Sequence, residues 1–154
     1  MKKQIQSFQV DHDYIVPGIY ASRIDGDIIT YDLRTRKPNN NEYMDNVTMH
    51  TVEHMFATFV RFSSFGKNII YFGPMGCRTG FYLIVRDMTN EQVLALTKET
   101  LKKIIDHNGE VFGASRKECG NYLELNLESA KKECKTYLKN LESWNDFNYK
   151  GESK

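Results

Sequence analysis

The sequence predicts an α+β domain: an antiparallel sheet with helices packed on one face. Three observations carry this. Short runs are rich in β-branched and aromatic residues. A Gly-Pro turn separates two of those runs by a gap too short for a crossover. Three other segments place apolar residues at helical spacing. Strands joined as hairpins, with helices gathered to one side, make an α+β layer pair.

Taken in order, residues 27–34 partly alternate and predict a strand. Pro38 and the run Asn39-Asn40-Asn41 then break the chain into a polar loop over residues 36–41. A helix is predicted over 47–61, with Val52, Met55, Phe56, Phe59 and Val60 on one stripe. Residues 68–72 and 80–86 predict two further strands, with Gly73-Pro74-Met75-Gly76-Cys77 as the turn between them. The second helix opens on Thr89 and Gln92, spaced as a capping box, and stops at Asn108-Gly109. The third covers about 127–141 through Ala130, Cys134, Tyr137, Leu138 and Leu141. From Trp144 onward the chain reads as a fraying tail.

The 154 residues fit one domain over 1–154. With 21 basic and 20 acidic residues, net charge +1, there is no electrostatic footprint for nucleic acid. Lys131, Lys132, Lys135 and Lys139 sit among Glu128, Glu133 and Glu142, which reads as a solvated helix face. No apolar run approaches the roughly 18 residues of a membrane span. The first residues lack a secretory pattern, so a cytoplasmic protein is expected. Three cysteines, Cys77, Cys119 and Cys134, argue against a disulfide framework.

His50-Thr51-Val52-Glu53-His54 lies inside the first helix. Residues four apart share a helix face, so two imidazoles can hold one ion at about 2.0–2.1 Å each. At about 100° per residue both histidines point away from the centre of the apolar stripe. Glu53 flanks the pair and is placed to act as a general base. The plainer alternative is two surface histidines that happen to fall four apart. A catalytic site needs a third protein ligand, and Cys119 is the best candidate, with Gly120 permitting a close turn. Cys134, within the third helix, reads as packing. Around Cys77, glycines at 73, 76 and 80 would let backbone approach a small ligand, and Arg78 would favour a thiolate able to act as base and then acid. A buried cysteine in a tight turn is the equal alternative. The HxxEH pattern also matches inverted-motif zinc proteases, leaving a small zinc hydrolase as the alternative function.

Taken together, the motifs resemble the S-ribosylhomocysteine lyase (LuxS) family. The resemblance rests on Ser7-Phe8-Gln9-Val10-Asp11-His12, Pro17-Gly18-Ile19-Tyr20, Tyr31-Asp32-Leu33-Arg34, the histidine motif, the block from Gly73 to Tyr82, and Glu118-Cys119-Gly120-Asn121-Tyr122. It implies an antiparallel sheet with helices on one face, and a homodimer with active sites at the subunit interface. It implies a lyase that cleaves S-ribosyl-L-homocysteine to L-homocysteine and 4,5-dihydroxy-2,3-pentanedione, the autoinducer-2 precursor. The family metal is one divalent ion per subunit, Fe(II), with Zn(II) or Co(II) as substitutes. Carried over, His50, His54 and Cys119 are the ligands, Cys77 and Glu53 the general acid/base pair, and Ser7, His12 and Arg34 line the substrate pocket. The chemistry suits these groups. The sugar carbonyl must migrate to C3 before sulfur can leave, and each migration moves a proton next to a carbonyl. A Lewis acid steadies the negative charge that gathers on the sugar.

Overall fold

The structure, a computed structural model, describes residues 5–150. Residues 1–4 and 151–154 lie outside the described residues. They include the start read for an export signal and the last part of the run read as a tail.

A short helix α1 (Gln6–Gln9) and a 3₁₀ turn over His12–Tyr14 lead into the sheet. Its strands are β1 (Gly18–Asp25), β2 (Ile28–Arg34), β3 (Ile69–Pro74) and β4 (Gly80–Arg86). They lie in the order β1-β2-β4-β3 and every neighbouring pair is antiparallel. Helices α2 (Asn46–Arg61), α3 (Asn90–Asp106) and α4 (Leu127–Asn140) complete the fold. The predicted α+β arrangement, with helices on one face, is the observed one.

Alternation decides which side of the sheet each residue serves. Tyr31 and Leu33 of β2 pair with Leu83 and Phe81 of β4 and join the main core. Helix α2 adds Val52, Met55, Phe56 and Val60, while α3 adds Val93, Leu96, Leu101 and Ile104. Cys134, predicted as packing, is buried in this core with Ala130 and Tyr137 of α4. On the opposite face of the same strands stand Thr30, Asp32 and Arg34, beside Ile84, Tyr82 and Gly80. A second, smaller cluster of Ile15, Tyr20 and Tyr149 forms there.

Local chemistry sets the helix starts. Asp45 caps α2 by accepting from the Thr48 N–H at 2.7 Å, and both arms of the Thr89/Gln92 capping box are present on α3. Asn126 caps α4 in the same way.

Strand β1 escapes the sequence pattern. It is an edge strand whose register shifts between Ala21 and Arg23, so alternation is interrupted after four residues. The two-residue turn after it places Gly26 at φ +65°, a left-handed conformation that Gly adopts readily. The 73–77 turn also begins later than predicted: β3 continues to Pro74, and the Arg78 N–H closes the turn on the Met75 carbonyl.

Two expectations are corrected. Glu133 is not on a solvated face. It is 7% exposed and forms a two-pronged ion pair with Arg36, at 2.6 and 2.9 Å, that ties the loop after β2 to α4. Nor does the segment from Trp144 to Lys150 fray. The Trp144 indole donates to the Ile19 carbonyl, its ring lies where a side chain on Gly18 would stand, and the Ala21 N–H donates to the Phe147 carbonyl. Phe147 and Tyr149 are buried. Aromatic residues spaced irregularly give no periodic signal, but their burial area holds the segment down.

Phe147→Ala is therefore expected to cost about 3 kcal/mol of unfolding free energy. A denaturant melt superimposable on the parent's would return this segment to the status of a loose end.

Candidate metal centre and active site

Helix α2 carries His50 and His54 on adjacent turns, half-buried, with ring centroids 4.6 Å apart. The predicted third ligand comes from the loop between α3 and α4. The ligand atoms of His50, His54 and Cys119 all lie within 4.8 Å of one another.

Two main-chain carbonyls prepare the histidines. His50 Nδ1 lies 3.0 Å from the Glu124 oxygen, and His54 Nδ1 lies 2.8 Å from the Phe112 oxygen. A carbonyl can only accept, so each Nδ1 must carry its hydrogen. Each Nε2 is then left with a bare lone pair, the form a metal requires. Cys119 Sγ sits 3.4 Å from His50 Nε2 and accepts from the Asn121 N–H. The donor set therefore fits a divalent ion: two imidazole lone pairs and a sulfur whose anion a backbone N–H supports.

Sequence reasoning credited Gly120 with aiming this sulfur. Gly120 is not among the residues at positive φ, and a Cβ there would meet nothing within 4 Å. The turn is set by Ser115, whose carbonyl accepts from the Cys119 N–H and whose hydroxyl bonds Glu118. The glycine that matters is Gly113, which the sequence reading passed over. It sits at φ +69°, and a Cβ there would stand 3.2 Å from His54 Nδ1. Phe112, whose carbonyl holds His54, is itself gripped at ring contact by Phe59 and His107. Main-chain acceptors such as those of Phe112 and Glu124 leave no mark in a sequence; Gly113 alone was a signal that could have been used.

Glu53 lies in the same open pocket as His54, with Ala57, Thr58, Phe72, Phe112 and Gly113. Among the described residues no hydrogen bond or ion pair engages its carboxylate.

Cys77 is exposed at the end of the β3–β4 turn. Its sulfur lies 3.0 Å from Thr79 Oγ1 and 3.9 Å from Arg34 Nη1. Arg34 Nη1 also donates to Thr79 Oγ1 at 2.9 Å, so the threonine hydroxyl has its hydrogen to offer the sulfur. The cation beside Cys77 is thus Arg34 and not the expected Arg78, whose guanidinium stands over the Tyr43 ring. Of the three glycines, Gly80 is closed by the neighbouring β2 backbone and Gly73 by the Tyr71 side chain, while Gly76 is open.

Arg34 is buried, with Nε and Nη2 both on Asp32 at 3.0 and 2.6 Å. Burial works against its charge, but Asp32 outweighs that by charge and hydrogen bonds, and Cys77 and Tyr149 add to the effect. Ser7 lies in a groove on the open sheet face with Thr30 and Tyr82, and His12 Nδ1 bonds the Val10 carbonyl. The structure brings the three candidate metal ligands together, and Arg34 to Cys77. Among the described residues, no hydrogen bond runs from Ser7, His12 or Cys77 to the triad.

Sheet, helix layer and donor set define an α+β protein with a candidate single-ion site. Comparison with known proteins specifies which kind. A family model described as S-Ribosylhomocysteinase (LuxS) matches residues 5–148. An S-ribosylhomocysteine lyase of Clostridium acetobutylicum is 46% identical over 134 residues, 83% of this chain and 85% of its own length. Proteins of the same name from Finegoldia magna and Borreliella burgdorferi are 45% and 42% identical, covering 88% and 96% of this chain and 89% and 98% of theirs. The chain belongs to the S-ribosylhomocysteine lyase (LuxS) family. These relatives give no support to the hydrolase alternative.

Gly113→Ala should push the Phe112–Gly113 backbone off His54 and weaken metal binding by about 10- to 100-fold. Competition against a metallochromic chelator measures it; parental affinity would mean the Phe112 carbonyl does not prepare the ligand.

Proposed function

We propose that the protein cleaves S-ribosyl-L-homocysteine to L-homocysteine and 4,5-dihydroxy-2,3-pentanedione, as one unit spanning the whole chain. The observation that carries this reading is the convergence of two preset imidazoles and a cysteine sulfur beside the unengaged Glu53 carboxylate. A divalent ion held by His50, His54 and Cys119 would supply Lewis acidity for carbonyl migration along the sugar.

The chain's own groups move the protons. Cys77, as thiolate, removes a hydrogen next to the carbonyl and returns it to the neighbouring carbon. Arg34 and Thr79 favour that thiolate by charge and hydrogen bond. Glu53 performs the later transfers. With the carbonyl at C3, loss of the C4 proton breaks the bond between C5 and sulfur, and homocysteine leaves with a proton. Ser7 and His12 line the substrate pocket, and Arg34 serves it through Cys77.

Fe(II), the family metal, is the ion we propose, with Zn(II) or Co(II) able to replace it, since the affinity order of a thiolate–imidazole set favours them over Fe(II). The cytoplasm is the proposed compartment: Cys77, Cys119 and Cys134 are all free thiols, and two of them work only when reduced. No helix among the described residues is long and apolar enough to cross a membrane.

The protein is proposed to act as a homodimer with its active sites at the subunit interface. Ile5, Phe8 and Tyr14, 62%, 68% and 56% exposed, flank Ser7 and His12. Apolar groups grouped around pocket residues favour a covering surface, and a second copy supplies it.

Cys77→Ala and Glu53→Ala should each keep the parental metal content and lower homocysteine release at least about 100-fold. Thiol detection on the substrate, paired with anaerobic metal analysis that finds iron in fresh protein, makes the test. Unimpaired release in either variant would remove that residue from the acid/base pair, and peptide cleavage without homocysteine release would favour a hydrolase.

Sedimentation should give twice the 18.0 kDa chain mass. Phe8→Asp should shift the protein toward monomer and reduce turnover while leaving metal content intact; a fully active monomer would defeat the interface-site reading.

A further inference from the structure

The open face of the sheet holds a buried hydrogen-bond chain that neither the metal site nor the proton shuttle explains. Tyr149, from the C-terminal segment, donates its hydroxyl to Asp32 Oδ2 at 2.6 Å. The same oxygen accepts Arg34 Nη2 at 2.6 Å, and Asp32 Oδ1 accepts Arg34 Nε. That arrangement leaves Nη1 as the arm of the guanidinium directed to Thr79 and Cys77. Asp32 is 1% exposed, so its charge is neutralised by these partners and not by water.

We propose that Tyr149 is a positioning residue for Cys77: its hydroxyl takes up part of the Asp32 charge and fixes that carboxylate, so that Arg34 keeps both its arm and its positive field on the sulfur. This assignment rests on Cys77 acting as an acid/base of the lyase reaction.

The surroundings suit a donor. Burial, then the Asp32 charge and hydrogen bond, push the Tyr149 phenol well above its ordinary value, while Ser22 and Arg34 act the other way. The phenol therefore keeps its hydrogen. Its ring stacks on Tyr20 at 4.7 Å, and the Tyr20 hydroxyl donates to the Val16 carbonyl, just beyond the turn that carries His12. Removing the hydroxyl alone leaves this stack in place. Without it, the whole Asp32 charge falls on Arg34 and less positive field reaches Cys77. The charged and titratable groups facing the chain are Asp32 and Arg34 of β2, Tyr20 of β1, Tyr82 of β4, Tyr137 of α4, Asp146 of the C-terminal segment and Cys77 itself.

The test uses Tyr149→Phe in the metal-loaded protein. The rate of Cys77 alkylation by iodoacetamide is followed against pH, with the modified peptide resolved by mass. The Cys77 midpoint should rise by about 0.5 to 1 unit. Homocysteine release below that midpoint should fall by about three- to tenfold and recover at higher pH, with KM unchanged. Tyr137→Phe is the matched control, since it also loses a buried hydroxyl bond, to the Gly18 carbonyl, but one that engages neither Asp32 nor Arg34, whose charges reach Tyr137 only through space. It should leave the Cys77 midpoint where it is. An unmoved midpoint in Tyr149→Phe, or an equal shift in Tyr137→Phe, overturns the assignment. The alkylation readout needs no turnover, so it stands apart from any failure of Cys77 as acid/base, which Cys77→Ala reports by itself.

Discussion

Two carbonyl oxygens, those of Phe112 and Glu124, hold the histidines of the candidate metal site in the form an ion would need. Each forces a hydrogen onto one ring nitrogen and so strips the other, which readies two histidines one helix turn apart to act as a pair of ligands. Everything else in the donor set follows from that constraint. The carbonyls belong to the long connection between α3 and α4, the same connection that delivers Cys119. One loop therefore orients two candidate ligands and supplies the third, and Gly113 is the point at which it can approach His54 closely enough.

The other face of the sheet solves a different electrostatic problem. A buried arginine is tolerable only when paired, and a buried pair stabilises only when its remaining hydrogen-bonding capacity is used. Asp32 and Arg34, two residues apart on one strand, use theirs on Tyr149, Thr79 and Cys77. One group of side chains thus satisfies the buried charge and, in the proposed mechanism, favours the thiolate.

Much of this was legible in the residues. The helical stripe of α2, the capping box of α3 and the Gly-Pro turn between β3 and β4 each express a local rule, and each element appears where that rule puts it, to within a few residues. The pairing of the two candidate histidines was legible as well, because i and i+4 on a helix is a geometric statement. What stayed hidden depends on long-range partners. Edge strand β1 carries a register shift that blurs its alternation. Glu133 looks solvated beside four lysines until Arg36, 97 residues away, is found against it. The aromatic residues after Trp144 have no period, so nothing local says they are docked. On paper Arg78, next in sequence to Cys77, is the cation to expect, and only the β2–β4 pairing puts Arg34 there instead.

Strand β1 lies at one margin of the sheet, where unpaired peptide groups would otherwise invite another chain. Here the outward-facing groups of Ile19 and Ala21 are taken by the Trp144 indole and the Phe147 carbonyl. Fibrous growth by strand addition needs two adhesive margins on every molecule, so that each copy can hand the ladder to the next. With the β1 margin shut by its own chain, any such addition has β3 alone to use and must halt at a couple, which protects a sheet rich in aromatic and β-branched residues from polymerising.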